Sequence, residues 1–301
     1  MVSPRRLVRP AYRTALGAMP LTWRRRVWYA AYHHRPLRLR SPRLFSEKVN
    51  WRIAFDRRTD LAFTCDKLKM KAYAEHVAGH LVKIPKTFWS GTDLDALASV
   101  DLPERWVLKP THRSGQVVLG QGRPVIENLR RRTAGWLGEW HWQMLGEWAY
   151  GQATPQLFAE EMIGGLEQSP NDYKVFVFDG VPRAIQVDSE RFSGHRRRFY
   201  DVSWRPLDVD NIYPQGQVHE RPAGLDVILD AAARLGASFD FMRIDLYDVS
   251  GQVWFGETSP YPGGGLEPFF PHAFDVGLGS WWKLPNLTGA SIQFASSDVG
   301  R

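Results

Sequence analysis

The sequence holds one cysteine, Cys65, in 301 residues. That excludes an intrachain disulfide and a cysteine-built zinc cluster, and it suits a reducing compartment. No run of eighteen apolar residues occurs, so no membrane span is expected. The early arginines are not followed by the apolar core of a signal peptide. Acidic residues are missing from 1–43, which carry eleven arginines and no Asp or Glu. The formal charge of +7 is therefore a property of this arm, and the remaining chain sums to −4. Overall basicity thus gives no reason to expect a nucleic-acid partner, and none is expected. The phosphate-binding patterns GxxxxGK[ST] and GxGxxG are missing as well. His112, His141 and His195 have no visible Ser or Cys partner, so neither a nucleophile triad nor a histidine-metal cluster is supported.

What is present is globular: 44% hydrophobic and 13% aromatic residues, enough for a large core in two or three lobes. Thirteen tryptophans are read mainly as packing. In the arm, residues 21–32 form a short amphipathic helix with Leu21, Val27, Trp28 and Ala31 on one side. Three readings stand: contact with an anionic lipid surface or polyanion, docking on the body with the arginines in water, and disorder. A helix starts near Ser46. Another runs from Cys65 to Val77, capped by Thr64, with Leu68, Ala72 and His76 inward. Lys67 in its first turn is a candidate phosphate contact, whereas Lys67, Lys69 and Lys71 together also read as a solvated face.

From Leu81 the texture is strand and loop. Lys83–Phe88 and Trp106–Lys109 read as strands, and Lys109 leads into a flexible loop with Ser114 and Gly115, followed by a return strand Gln116–Leu119. Glu127–Leu145 reads as a long scaffold helix bearing Trp136 and Trp140. Leu157–Ile163 is a strand leading into Gly164-Gly165. Glu160 and Glu161 fall on opposite faces of it, so one of them is buried, capped or functional. Asp179-Gly180 marks a hairpin between Tyr173–Phe178 and Val181–Asp188, with Lys174 at its start. Arg196, Arg197 and Arg198 read equally as an anion-recognising fork and as a solvated loop. Gly224–Leu235 is an apolar helix.

Phe241–Gly265 closes the set. Strand Phe241–Tyr247 puts Arg243, Asp245 and Tyr247 on one face and Met242, Ile244 and Leu246 on the other. After a turn at Asp248–Gly251, strand Gln252–Glu257 returns toward Ser259. The hairpin brings Asp245 to the Glu257–Ser259 end, giving hard oxygen donors suited to Mg²⁺ against phosphate. The alternative is an ordinary hairpin with a charged, wet face.

The segments LFSEKVNWRIAFDR, TCDKLKMKAYA, WVLKPTHRSGQVV, AEEMI, DYKVFVFDGVPRAIQVDSER, FYDVSWRPLD, FMRIDLYDV and WFGETSPYPGGG, in this order from about Phe45 to Leu284, resemble the TupA-like (teichuronopeptide biosynthesis) branch of the ATP-grasp enzymes. The resemblance implies an α/β fold of α+β lobes with a nucleotide cleft between a central and a C-terminal lobe. The expected division is an arm at 1–43, an N-terminal lobe at 44–105, a central lobe at 106–160 and a C-terminal lobe at 161–301. It implies ATP and Mg²⁺ as cofactors. It puts Lys67, Lys109 and Lys174 near the phosphates, His112, Ser114, Gly115 and Gln116 in a covering loop, and Glu160, Glu161, Met162 and Ile163 at the adenosine. Arg243 and Lys109 are the implied catalytic residues, with Asp245, Glu257 and Ser259 as metal ligands. Ser259 stands where the family often has Asn. Arg183, Arg196, Arg197, Arg198, Gly263 and Gly264 are the substrate candidates.

The implied reaction joins a small or glycan-linked carboxylate to an amine through an acyl phosphate, in polysaccharide or secondary-metabolite biosynthesis. The expected location is the cytoplasm, with the arm peripheral at the inner membrane face. A phosphotransferase, a glycosyltransferase and a non-enzymatic nucleotide-binding scaffold are the alternatives.

Overall fold

The computed structural model describes residues 17, 19–138, 142–164, 170–190 and 194–287. In chain order the elements are α1 (Leu21–His33), α2 (Phe45–Phe55), α3 (Lys67–Ala78), β1 (Thr87–Gly91), α4 (Leu94–Leu97), β2 (Arg105–Pro110), β3 (Val118–Gln121), α5 (Ile126–Arg132), α6 (Trp142–Leu145) and β4 (Leu157–Glu161). There follow β5 (Asp172–Phe178), β6 (Val181–Ser189), β7 (Arg196–Tyr200), β8 (Pro206–Leu207), α7 (Leu225–Gly236), β9 (Met242–Val249), β10 (Gln252–Ser259) and α8 (His272–Trp281).

The strands build two antiparallel sheets. One has four strands in the order β1-β4-β2-β3, the other six in the order β10-β9-β5-β6-β7-β8. Strand β5 is buried at all seven positions. Its odd-numbered residues Tyr173, Val175 and Val177 enter the large core, while Asp172 and Lys174 line a cleft on the other face. That core also holds Phe45, Val49 and Ile53 of α2, Met70 and Ala74 of α3, and Ile228 and Leu235 of α7. Each of the larger apolar side chains, fully removed from water, contributes roughly 1.5–3 kcal/mol before entropy is counted. The four-stranded sheet has its own smaller core around Trp106, Leu108 and Trp136. Trp28, Trp204 and Trp282 are buried too, in keeping with tryptophan as packing material.

Several local expectations change. Helix α3 is capped by Asp66 rather than Thr64, since Asp66 Oδ1 accepts from the backbone N–H of Leu68 (3.1 Å) and Lys69 (3.2 Å). Its packed residues are Met70, Lys71, Ala74 and Ala78; Ala72 and His76 face solvent. Ser46 does not start α2 as a cap but spends its hydroxyl on Asp275 Oδ2 at 2.6 Å. The long helix expected over Glu127–Leu145 is interrupted, leaving the short α5 and α6 with Trp136 in a turn between them. Trp140, His141 and Gly165 lie outside the described residues.

The arm helix docks, but not on the face its apolar pattern indicates. Arg24, Arg25, Trp28, Tyr29 and His33 are buried, whereas Val27 is exposed. Arg25 donates to Asn50 Oδ1 (2.7 Å), Leu145 O (3.4 Å) and Gly264 O. Buried charge overrides apolar periodicity here because three acceptors compensate the guanidinium's lost hydration.

Candidate active site

A cleft of about 950 Å³ is lined by both sheets, by α1 and by the loop after β2. Val107, Leu119, Phe158, Met162 and Ile163 are its apolar lining, beside the charged Lys71, Lys109 and Glu160.

Strand alternation and one bulge assemble the six-stranded side. Asp245 on β9 pairs in register with Lys174 on β5 and with Glu257 on β10. A simple continuation of the hairpin, with Phe255 opposite Leu246, would put Gly256 opposite Asp245 and turn Glu257 toward the core. The register shifts between Phe255 and Glu257, so Gly256 is the extra residue and Glu257 lands on the cleft face. Only glycine fits there, because a Cβ on Gly256 would stand 2.8 Å from Asp245 O and 2.9 Å from the Tyr247 ring.

The charges form one chain. Lys174 Nζ donates to Asp172 Oδ2 (2.5 Å) and Asp245 Oδ2 (2.6 Å). Arg243 Nε donates to Asp245 Oδ1 (2.7 Å) and its Nη2 to Asp245 Oδ2 (2.8 Å). Burial disfavours the Lys174 ammonium, yet Asp172 and Asp245 outweigh it and raise its pKa. Arg243 behaves alike: burial opposes its charge and Asp245 holds it. Glu257 keeps a third of its side chain exposed and lies 3.7 Å from Lys67 Nζ.

On the four-stranded side Glu160 is the buried member of the Glu160–Glu161 pair. It accepts from Lys109 Nζ at 2.6 Å and Lys71 Nζ at 2.8 Å. Burial pushes its pKa up, but Lys109 and Lys71 prevail and bring it below the ordinary value. Glu161 instead accepts from the backbone N–H of Lys86 at 3.2 Å. Lys71, read from sequence as part of a solvated face, is thus a buried cleft residue. A signal for it was its spacing: Lys67, Lys71 and Ala74 share one helical face. Lys67 does reach the cleft, but the N-terminus of α3 is filled by Asp66, and Lys67 Nζ donates to Arg113 O at 2.6 Å.

The loop residues Ser114, Gly115 and Gln116 line the cleft. Gly115 adopts φ of 75°, and a Cβ added to it would meet nothing within 4 Å. His112 is buried behind them, outside the cleft lining. Burial, then Arg113 and Lys67, lower its pKa to about 4.

The arginine run divides by strand alternation. On β7, Arg197 faces the cleft, where its Nε donates to Asp188 Oδ1 (2.7 Å) and its Nη1 to Asn211 Oδ1 (2.6 Å) and Glu267 Oε2 (2.8 Å). Arg196 is exposed beside Glu190, and Arg198 donates to Gly216 O at 2.7 Å; neither lines the cleft. Arg183 stacks on Trp281 away from it. Gly263 and Gly264 do line it, in a turn where Gly263, Gly264 and Gly265 all have positive φ. Asp172 and Asp188, opposite each other in the β5–β6 register, went unnoticed in the sequence. Their cue was the hairpin they close, with Asp179-Gly180 at its far end.

Among the described residues no group of three or more His, Cys, Asp or Glu converges as a metal cage. The donors fit Mg²⁺ in a more limited sense. Asp245 and Glu257 are opposed hard carboxylates with the Ser259 hydroxyl on the same face, and Mg²⁺ usually completes its shell with water and phosphate oxygens.

Two antiparallel sheets thus enclose a cleft in which a lysine pair and opposed carboxylates present groups suited to phosphate and to a divalent cation. The model of the TupA-like ATP-grasp family matches residues 47–283, and the chain belongs to that family. No curated protein matches the sequence. Among solved structures the chain is similar to the D-alanine–D-alanine ligase of Bacillus anthracis, at 19% identity over 67% of this chain and 58% of that one, with a TM-score of 0.41. It is also similar to the corresponding ligase of Helicobacter pylori (14% identity, 74% and 59%, TM-score 0.40). The L-amino acid ligase of Bacillus licheniformis matches at 17% identity over 68% and 42%, with a TM-score of 0.40. The chain therefore spans about half the length of the solved ligases it matches.

Proposed function

We propose that the protein is an ATP- and Mg²⁺-dependent carboxylate–amine ligase that forms an amide through an acyl phosphate. The observation that carries this reading is the opposition of Asp245 and Glu257, with Arg243 hydrogen-bonded beside them, across the cleft from Lys71 and Lys109. Lys109 and Lys71 bind phosphate oxygens, and Ser114–Gln116 cover them. Glu160 orients both lysines, and Met162 and Ile163 border the base. Asp245, Glu257 and Ser259 would hold Mg²⁺, which when bound would neutralise phosphate charge and favour phosphoryl transfer. Lys174 holds Asp245 in place. Arg243 lies where charge develops on the acyl and phosphoryl oxygens. Gly263 and Gly264 border the acceptor.

The lobe division 1–43, 44–105, 106–160 and 161–301 belongs to the same proposal, as do a polysaccharide-biosynthetic setting and a cytoplasmic location. No helix among the described residues is long and apolar enough to cross a membrane. Peripheral contact would use the outer side of α1, where Trp23 and Val27 are exposed and Arg26 lies over the Trp23 ring.

The test is Mg²⁺-dependent ADP release across a panel of carboxylates, including glucuronate, D-alanine and L-glutamate, with hydroxylamine present to trap acyl phosphate as hydroxamate. Hydroxamate together with ADP supports the ligase. A stable phosphorylated product identifies a phosphotransferase, and release of UDP from a nucleotide sugar identifies a glycosyltransferase.

A further inference from the structure

An amine attacking an acyl phosphate must first lose a proton, because an alkyl ammonium has no lone pair at neutral pH. Lys174 and Arg243, the cations on the six-stranded side, are held by Asp172 and Asp245, so neither accepts that proton. Among the described residues one imidazole lines the same cleft. His195 Nε2 lies 3.4 Å from Asp188 Oδ2, and the ring stacks on Tyr213 with centroids 3.9 Å apart. Nε2 itself is sealed from solvent, although the side chain as a whole stays 22% exposed.

The groups around the ring set its state. Asp188 is fixed by Arg197 Nε and Nη2 (2.7 and 3.3 Å) and by Gln186 Nε2 (3.0 Å). Burial would raise its pKa, but Arg197 holds it well below the carboxylate range, so it remains an anion. The Arg197 charge is shared with Glu267. Exposed Glu190 follows Asp188 along the chain and pairs with Arg196. An anion at Nε2 favours the Nε2–H tautomer and leaves the Nδ1 lone pair as the basic site. Arg197 also touches Glu267, against which a Cβ on Gly263 would collide at 2.6 Å, so the histidine belongs to the glycine-turn end of the cleft. Asp188, which the ring meets, is on β6, two strands from β9 and about 10 Å across the sheet, and its β5 partner Asp172 is in register with Tyr247. His195 and Asp245 line one cleft, in which an acceptor fits between them.

We propose that His195 is the general base for the acceptor amine, with Asp188 as its positioning residue; this rests on the ligase reading. The acceptor ammonium gives one proton to His195 Nδ1. The freed lone pair forms the C–N bond at the acyl carbon, and the carbonyl electron pair moves to oxygen. As it returns, the C–O bond to phosphate breaks. The second amine proton leaves with inorganic phosphate, giving a neutral amide and a protonated His195 that releases its proton to water.

Two measurements test this. The first needs no substrate: histidine side-chain ¹⁵N NMR on the full chain with Mg²⁺ and a non-hydrolysable ATP analogue. An Nε2–H tautomer, with that preference lost in Asp188→Asn, is expected. An Nδ1–H tautomer or a permanent imidazolium overturns the assignment. The second compares hydroxylamine, unprotonated at neutral pH, with glycine, D-alanine and glucosamine as acceptors. His195→Gln should lower kcat about a hundredfold with the alkyl amines and less than threefold with hydroxylamine. Imidazole should partly restore turnover in His195→Ala. Equal losses with both amine types, in protein of unchanged thermal midpoint, overturn the base. Absence of ADP release with every pair overturns the ligase reading instead, while the tautomer measurement still decides the state of His195.

Discussion

Two charge clusters in the cleft hold opposite balances. In one, Lys71 of α3 and Lys109 of β2 share one carboxylate, Glu160, so that this cluster carries one positive charge in excess. In the other, on the six-stranded side, Lys174 and Arg243 face Asp172, Asp245 and Glu257, leaving one negative charge in excess. Phosphate suits the first cluster and a divalent cation the second. The pairing also differs in depth: the Lys174 side chain is 6% exposed and the Lys109 side chain 32%. The deep network holds geometry, while the shallow one keeps a cation accessible to a ligand.

The largest effect should come from breaking the deep network. Lys174→Met leaves Asp172 and Asp245 buried without their ammonium and should cost about 3–5 kcal/mol, read as a lower denaturant midpoint. Lys109→Met, on the shallow side, leaves Lys71 on the buried Glu160 and should cost less, about 1.5–3 kcal/mol, while raising the KM for ATP. A similar stability loss in both would erase the contrast.

Glu257→Gln should then separate chemistry from folding. The side chain is a third exposed, so stability should hold while Mg²⁺-dependent turnover falls about a hundredfold or more. Asp245→Asn should lose both, because Lys174 and Arg243 depend on its charge. Normal turnover in Glu257→Gln would remove the metal assignment.

Gly256→Ala tests the bulge that joins the two carboxylates. The new methyl meets Asp245 O, so a cost of about 1–3 kcal/mol and reduced turnover are expected. A parallel assay of Gly115→Ala, where a Cβ meets nothing but φ is positive, should show a smaller loss, near 1 kcal/mol.

The smallest effect is that of pH. The folded pKa of Glu160 lies below its unfolded value, so its stabilisation is complete above about pH 4.3 and fades as pH falls through the folded pKa. His33 is also depressed, to about 4, first by burial and against the pull of Gly265 O. Its contribution is complete above about pH 6.5 and is lost as pH falls toward 4. His33→Gln should flatten the dependence of the thermal midpoint between pH 6.5 and 4, and Glu160→Gln the dependence below that. An unchanged slope in His33→Gln would show that α1 docking does not sense this titration.

Much of the site was legible in local pattern. Period-two alternation put Arg243 and Asp245 on one face, and adjacent Glu160 and Glu161 required one buried carboxylate. Such inferences need only backbone geometry. The arginine run showed the limit: three equal residues at 196–198 acquire three different fates once β7 is paired. Arg25 showed it more sharply, since an arginine in an exposed-looking arm is wholly buried by acceptors from Asn50, Leu145 and Gly264.

The sequence by itself determined the hairpin with its apolar and charged faces, the order of the motifs and the chemical kinds of group available, because these follow from side-chain identity and strand period. Only the tertiary structure decided that Gly256 is a bulge that turns Glu257 to Asp245, that Lys71 joins Lys109 on Glu160, and that His195 meets Asp188. Those pairings link residues far apart in the chain, and register and burial, which no local pattern encodes, select them from many chemically equivalent partners.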